Sequence, residues 1–143
     1  MNNLAKTCPS TKVWVMGYSQ GAMVAQVVLE YAGSGNGKSG ETLSTKAIAN
    51  FGAAILLGDP TYYQGETVDW SGNTGTSNGA FYWTRTKGSD DDWPRTPYRI
   101  ISYCCKGDYW CQADFTPYGS TVHGSYKSAA TVKREVAFLK EFE

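Results

Sequence analysis

The sequence predicts an α/β protein built on a parallel sheet, on three observations. Three short apolar runs, Val13–Met16, Ala53–Leu57 and Arg99–Tyr103, have the length and composition of strands. The chain between successive runs is too long for a hairpin and long enough for a crossover, so neighbouring strands run in the same direction. A polar residue, Ser19, Asp59 or Asp108, follows each run, and parallel sheets carry their sites at the carboxyl ends of their strands.

Asn2–Thr7 reads as the tail of a helix, broken by Cys8-Pro9-Ser10-Thr11. Val13–Met16 reads as a short buried strand. Gln20–Tyr31 has helical spacing, with Ala22, Val24, Ala25, Val28 and Leu29 available for one broad apolar face. The glycine-rich loop Gly33–Gly40 does not follow a strand and lacks phosphate-loop spacing, which excludes a nucleotide role. A short helix is expected over about Leu43–Asn50, and the second strand, Ala53–Leu57, ends in Gly58-Asp59-Pro60. Tyr62–Asp92 is irregular and long, which favours a binding or lid role. Within it, Asp90-Asp91-Asp92 reads as a solvated acidic turn rather than a cation site, because calcium needs a scaffold of spaced oxygens. After the third strand the chain closes with an amphipathic helix over Lys127–Phe142. Its expected core face is Ala130, Val132, Val136, Phe138, Leu139 and Phe142.

The 143 residues suit a single domain with one core, spanning 1–143. Thirteen basic residues balance 13 acidic ones, which gives no support to a nucleic-acid or anionic-membrane partner, and no run reaches membrane-spanning length. The single histidine and the cysteine spacing argue against a Cys/His metal site, and no cofactor is called for. Cys104 and Cys111 would close a small loop around Gly107-Asp108 as a disulfide, which implies an oxidising compartment and a secreted protein. Yet Met1–Lys6 lacks the apolar segment of a signal peptide. The two readings agree if the chain lacks its natural beginning.

Gly17-Tyr18-Ser19-Gln20-Gly21 lies between the first strand and the first long helix. A serine flanked by glycines at a strand-to-helix turn is a nucleophile elbow: the turn crowds the serine Cα and lifts Oγ above the sheet. The helix that follows points its N-terminus at a developing oxyanion. A serine hydroxyl needs a neighbouring base, and His123 is the one histidine available. The imidazole needs a carboxylate to set its tautomer. Asp108 and Asp59 both follow strands. Asp108 is preferred, because the cysteine pair would hold its loop and because it lies close to His123 in sequence; Asp59 is assigned to capping its own turn. The order Ser19, Asp108, His123 is that of an α/β-hydrolase, so the expected architecture is a three-layer α/β/α hydrolase-type sandwich.

Two stretches carry a family resemblance. Cys8-Pro9-Ser10-Thr11-Lys12-Val13 running into Gly17-Tyr18-Ser19-Gln20-Gly21-Ala22 resembles the fungal cutinase and acetylxylan esterase family. So does Cys104-x-x-Gly107-Asp108-x-x-Cys111 followed by Val122-His123-x-x-Tyr126. The resemblance implies Ser19 as nucleophile, Asp108 as acid, His123 as base, the Cys104–Cys111 disulfide, and an oxyanion donor in the backbone N–H of Gln20. It implies a secreted serine esterase acting on a cutin-like polyester or on acetylated xylan, with a plant polymer as its partner and a monomeric state when complete. Family members carry further strands and helices before the position matching Cys8. These supply a second oxyanion donor and the partner of Cys8, so the chain is expected to be N-terminally truncated. Loss of an oxyanion donor lowers turnover on the order of 100- to 1000-fold, and loss of the strands would leave Val13–Met16 as an apolar sheet edge. The partners of Cys8 and Cys105 stay open. Tyr62, Tyr63, Trp83, Trp93, Tyr109, Trp110 and Tyr118 are candidates to line a substrate groove, most of them as packing or loop anchors. The competing reading is a catalytically impaired hydrolase that serves as a polymer- or partner-binding module.

Overall fold

A computed structural model describes residues 1–33, 42–66, 68, 75–84 and 99–142. The Gly33–Gly40 loop beyond its first residue, the Asp90-Asp91-Asp92 turn and Trp93 lie outside them. The elements are α1 (Asn2–Thr7), β1 (Val13–Tyr18), α2 (Gln20–Gly33), α3 (Thr45–Ala49), β2 (Phe51–Leu57), β3 (Ile100–Tyr103), α4 (Pro117–His123) and α5 (Ala129–Lys140). Short 3-10 turns cover Tyr82–Thr84 and Gly124–Lys127.

The three strands form a parallel sheet in the order β1-β2-β3. The central strand β2 is buried along almost all its length, as a strand covered on both faces should be. One layer is α2. It packs Ala22 and Leu29 against Ala54, Leu56 and Ile100, and burying each large aliphatic side chain is worth about 1.5–3 kcal/mol. The other layer is α5 with the Gly124–Lys127 turn, where Tyr126, Phe138 and Leu139 meet Ile55, Leu57, Ile101 and Tyr103.

Both helices turn differently from the expected faces. In α2 the buried stripe is Ala22, Gln26, Leu29 and Glu30, while Val24 and Val28 are exposed. Gln26 donates to Glu30 and its carbonyl oxygen takes the Thr61 hydroxyl at 3.5 Å, so the buried polar groups satisfy one another. In α5 the buried residues are Thr131 and Glu135, with Phe138, Leu139 and Phe142 half-buried; Val132 and Val136 are each 45 % exposed. The reason lies in the sheet. Met16 and Tyr18 of β1 pair with Ile55 and Leu57, so they share the α5 side. The helix covers that side over β2 and β3 but leaves β1 open. Met16 is 55 % exposed and Trp14 is exposed with it, so β1 alternates open and covered instead of being buried. Val132 lines a cavity that Tyr18 borders at the end of this open area. Among the described residues β1 ends the strand order, which makes it an apolar sheet edge.

The Ser128 hydroxyl caps α5 by accepting the N–H of Thr131, which starts that helix two residues later than the periodicity suggested. Thr116 caps α4 by accepting the N–H of Gly119, with Pro117 in the first turn. The α4 helix was not anticipated, and it carries His123.

Candidate active site

Ser19 sits one residue past β1 with φ 55°, in the left-handed region. A side chain there costs roughly 1–2 kcal/mol, so the turn must be held. The Ser19 N–H donates to Leu57 O at 2.8 Å, and Ser19 O accepts from Ala22 and Met23. Gly17 is demanded by sterics, since a Cβ there would stand 2.5 Å from Ala22 Cα. Gly21 is not: its added Cβ would meet nothing within 4 Å among the described residues. Sterics therefore force the glycine at position 17 and not the one at position 21.

Asp108 is fully buried in the loop after β3. Its Oδ1 accepts the backbone N–H groups of Trp110 and Cys111, each at 2.7 Å. Its Oδ2 faces His123 Nδ1 at 2.8 Å. The loop is closed by the Cys104–Cys111 disulfide, while Cys8 and Cys105 are free and exposed. On the far side of the ring, His123 Nε2 lies 2.8 Å from Ser19 Oγ. A carboxylate only accepts, so Nδ1 carries the proton and Nε2 is left to accept from the hydroxyl. A hydroxyl from the turn after β1, an imidazole from the end of α4 and a carboxylate from the loop after β3 thus connect in a single line. Gln20 is the first residue of α2 and lines the cavity beside Ser19; its N–H has no acceptor within the helix. Asp59 is not part of the line. Its Oδ1 accepts the N–H and the hydroxyl of Thr61, at 2.8 and 2.7 Å, which caps the turn after β2.

Several contributors stand in or beside these motifs without a role that the motifs assign them. Gly58 has φ +57°, and a Cβ there would come within 3.0 Å of His123 Cε1 and 2.9 Å of Tyr126, so a bare backbone makes room for the imidazole. Tyr126 is buried, and its hydroxyl accepts the N–H of Cys105 at 2.9 Å. Burial first, and then the nearby Asp108 carboxylate, push its phenol far up, so it keeps its proton. Cys105 is exposed as a residue, but partial covering of its thiol pushes that group up, away from the reactive thiolate.

Ser19 opens into a cavity of about 330 Å³ lined by Gln20, Met23, Pro60, Phe81 and Trp110. Phe81 and Trp110 stack with centroids 5.8 Å apart and also border a second hollow with Tyr82, Trp83 and Phe115. An aromatic trough therefore leads away from the hydroxyl. Of the expected groove residues, Trp110 lines both hollows and Trp83 the outer one. Tyr62 is buried beside Cys104 and Cys111, and so is a packing residue. Phe81 and Phe115 were not anticipated. Among the described residues, no group of three or more His, Cys, Asp or Glu side chains is placed to hold a metal ion. No helix among them is long and apolar enough to cross a membrane.

Sheet, helical layers and strand-end loops together define an α/β hydrolase fold. Within that class the chain belongs to the cutinase family, whose model matches residues 1–142. Acetylxylan esterase 2 of Talaromyces purpureogenus is 32 % identical over 116 residues, covering 78 % of this chain and 46 % of that protein. Cutinase 11 of Verticillium dahliae is 30 % identical over 131 residues, covering 88 % and 40 %. The catalytic core domain of acetyl xylan esterase from Trichoderma reesei superposes with a TM-score of 0.77 at 28 % identity, over 99 % of this chain and 65 % of that one. The chain spans less than half the length of these two sequence relatives and about two thirds of the solved domain.

Proposed function

We propose that this chain belongs to the catalytic domain of a secreted serine esterase that hydrolyses carboxylic esters through an acyl-serine intermediate. The observation that carries the proposal is the unbroken line from Ser19 Oγ through the imidazole to Asp108, with both contacts at 2.8 Å. Ser19 attacks the ester carbonyl as Nε2 of His123 takes its proton. Asp108 orients the ring and stabilises the imidazolium that forms. The tetrahedral oxyanion is met by the N–H of Gln20 at the start of α2. His123 returns the proton to the leaving alcohol, and water repeats the sequence to free the acid. The chain's own residues account for each proton transfer.

The substrate class we favour is an ester on a polymer, either acetylated xylan or a cutin-like polyester. The named relatives are acetylxylan esterases and a cutinase. The open trough of Phe81, Trp83 and Trp110 beside Ser19 suits sugar rings or acyl chains. Secretion is favoured by the disulfide.

A fluorophosphonate probe tests the mechanism. We expect one covalent adduct per chain, mapped to Ser19 by peptide mass and abolished in Ser19→Ala. An unlabelled, folded chain would overturn the serine mechanism. Acetate release from acetylated xylan against fatty-acid release from a long-chain ester then separates the two substrates.

A further inference from the structure

We propose that Tyr18 is a positioning residue for the His123 imidazole, a role that rests on the triad reading above. Tyr18 is the last residue of β1 and immediately precedes Ser19. Its ring lies against the imidazole with centroids 5.0 Å apart and planes inclined by 26°. Its hydroxyl donates to the backbone carbonyl of His123 at 2.8 Å. One side chain therefore holds both the ring and the main chain of the same residue.

His123 needs such a hold. It is the last residue of α4, followed at once by the Gly124–Lys127 turn, so the regular helix ends at the base. Asp108 and Ser19 engage Nδ1 and Nε2, and both contacts lie along one line through the ring. Contacts along that line leave the ring free to tip about it; only a group against a face resists tipping. Tyr126 meets the imidazole edge-on, at 6.2 Å and 80°, and Gly58 borders it at Cε1. Tyr18 supplies the stacked face.

There is a second consequence. When His123 takes the serine proton it becomes a cation, and an aromatic face attracts a cation. That attraction grows only as the proton moves, so it favours the transition state over the resting enzyme. The groups around the imidazole are Asp108 from the loop after β3, Tyr18 from the end of β1, Ser19 from the turn that follows it, and Tyr126 from the 3-10 turn. Lys127 and Glu135 line the cavity that Tyr18 borders on the α5 side. Burial and the Asp108 charge push the Tyr18 phenol up, which keeps its hydroxyl a donor. The Tyr18 side chain is 47 % exposed, too open to be a core residue whose loss would unfold the chain.

The test compares Tyr18→Phe and Tyr18→Leu with the parent chain on p-nitrophenyl acetate, each checked for Ser19 labelling by a fluorophosphonate. Tyr18→Phe loses the hydroxyl contact and should lower kcat about 2- to 10-fold. Tyr18→Leu also loses the ring and should lower kcat by a further factor of about 2 to 10. KM for this small ester should stay within about twofold of the parent value. The chain has a single imidazole, so its Cε1–H gives a single proton NMR signal; the stacked ring shields it, and the signal should move downfield in Tyr18→Leu and hold in Tyr18→Phe. Parent-like kcat in both variants, or a loss carried by KM, overturns the proposal; the latter makes Tyr18 a substrate contact. A Cε1–H signal unmoved in Tyr18→Leu also overturns it. Failure of the parent itself to be labelled at Ser19 would instead bring down the triad reading, and this proposal with it.

Discussion

Asp108→Asn isolates the work of one oxygen. The substitution keeps shape and replaces one carboxylate oxygen by NH2. Two orientations are open to the amide. With its oxygen at the Oδ1 position, it still accepts from Trp110 and Cys111, and its NH2 then faces Nδ1 of His123. The flipped amide would set donor against donor and strand those backbone N–H groups, at about 1–3 kcal/mol each, or about 2–6 kcal/mol together. The first orientation wins. Nδ1 must then accept, the ring proton moves to Nε2, and Nε2 donates to Ser19 Oγ instead of taking its proton. Turnover should fall on the order of 10⁴-fold, equivalent to about 5.4 kcal/mol of barrier. The assay is the initial rate on p-nitrophenyl acetate beside the parent and Ser19→Ala, with thermal unfolding to confirm that the fold is kept. A folded variant retaining more than about a tenth of parental turnover would refute the chain of reasoning, because the wrong tautomer cannot serve as base.

Three more outcomes are expected. Gly58→Ala forces a side chain into a left-handed backbone and against the imidazole, so it should destabilise by roughly 1–2 kcal/mol and slow Ser19 labelling more than a like-sized loss elsewhere; denaturant midpoints and labelling rates check this. Replacing both Cys104 and Cys111 by Ser removes the cross-link from a short loop, which the chain-entropy relation puts at roughly 2.5 kcal/mol; urea unfolding reads it, and an unchanged midpoint would sink it. Burial raises the carboxyl of Glu135, whose Oε1 has no hydrogen-bond partner among the described residues. A carboxyl whose folded-state pKa is raised favours the fold most below the ordinary glutamate range and loses that stability as pH rises through the raised value. Glu135→Gln should therefore stabilise the protein at neutral pH and have little effect well below that range, as measured by denaturant midpoints at the two pH values.

What could be read ahead of the coordinates divides along the range of the interactions. The strands, the long helices and the turn around Ser19 are written in local patterns of apolar spacing and glycine. The line of Ser19, His123 and Asp108 was legible for another reason: with one histidine in the chain, elimination replaced geometry. The helix that carries that histidine was announced by Thr116-Pro117, a cap followed by a first-turn proline, and went unread. Apolar spacing alone does not give the faces of α2 and α5, because it carries no information on which part of the sheet stays uncovered. Val24, Val28, Val132 and Val136 are open, while Gln26, Glu30, Thr131 and Glu135 are buried. Gly58 could not be recognised as the neighbour of an imidazole 65 positions away, because that closeness exists only once β2 and α4 are docked.

The open stripe of Trp14, Met16 and Tyr18 on β1 ends at the ring that backs the imidazole. Anything that covered the stripe would therefore meet the same side chain that stacks on His123. The open face of the strand and the orientation of the imidazole thus share one aromatic plate.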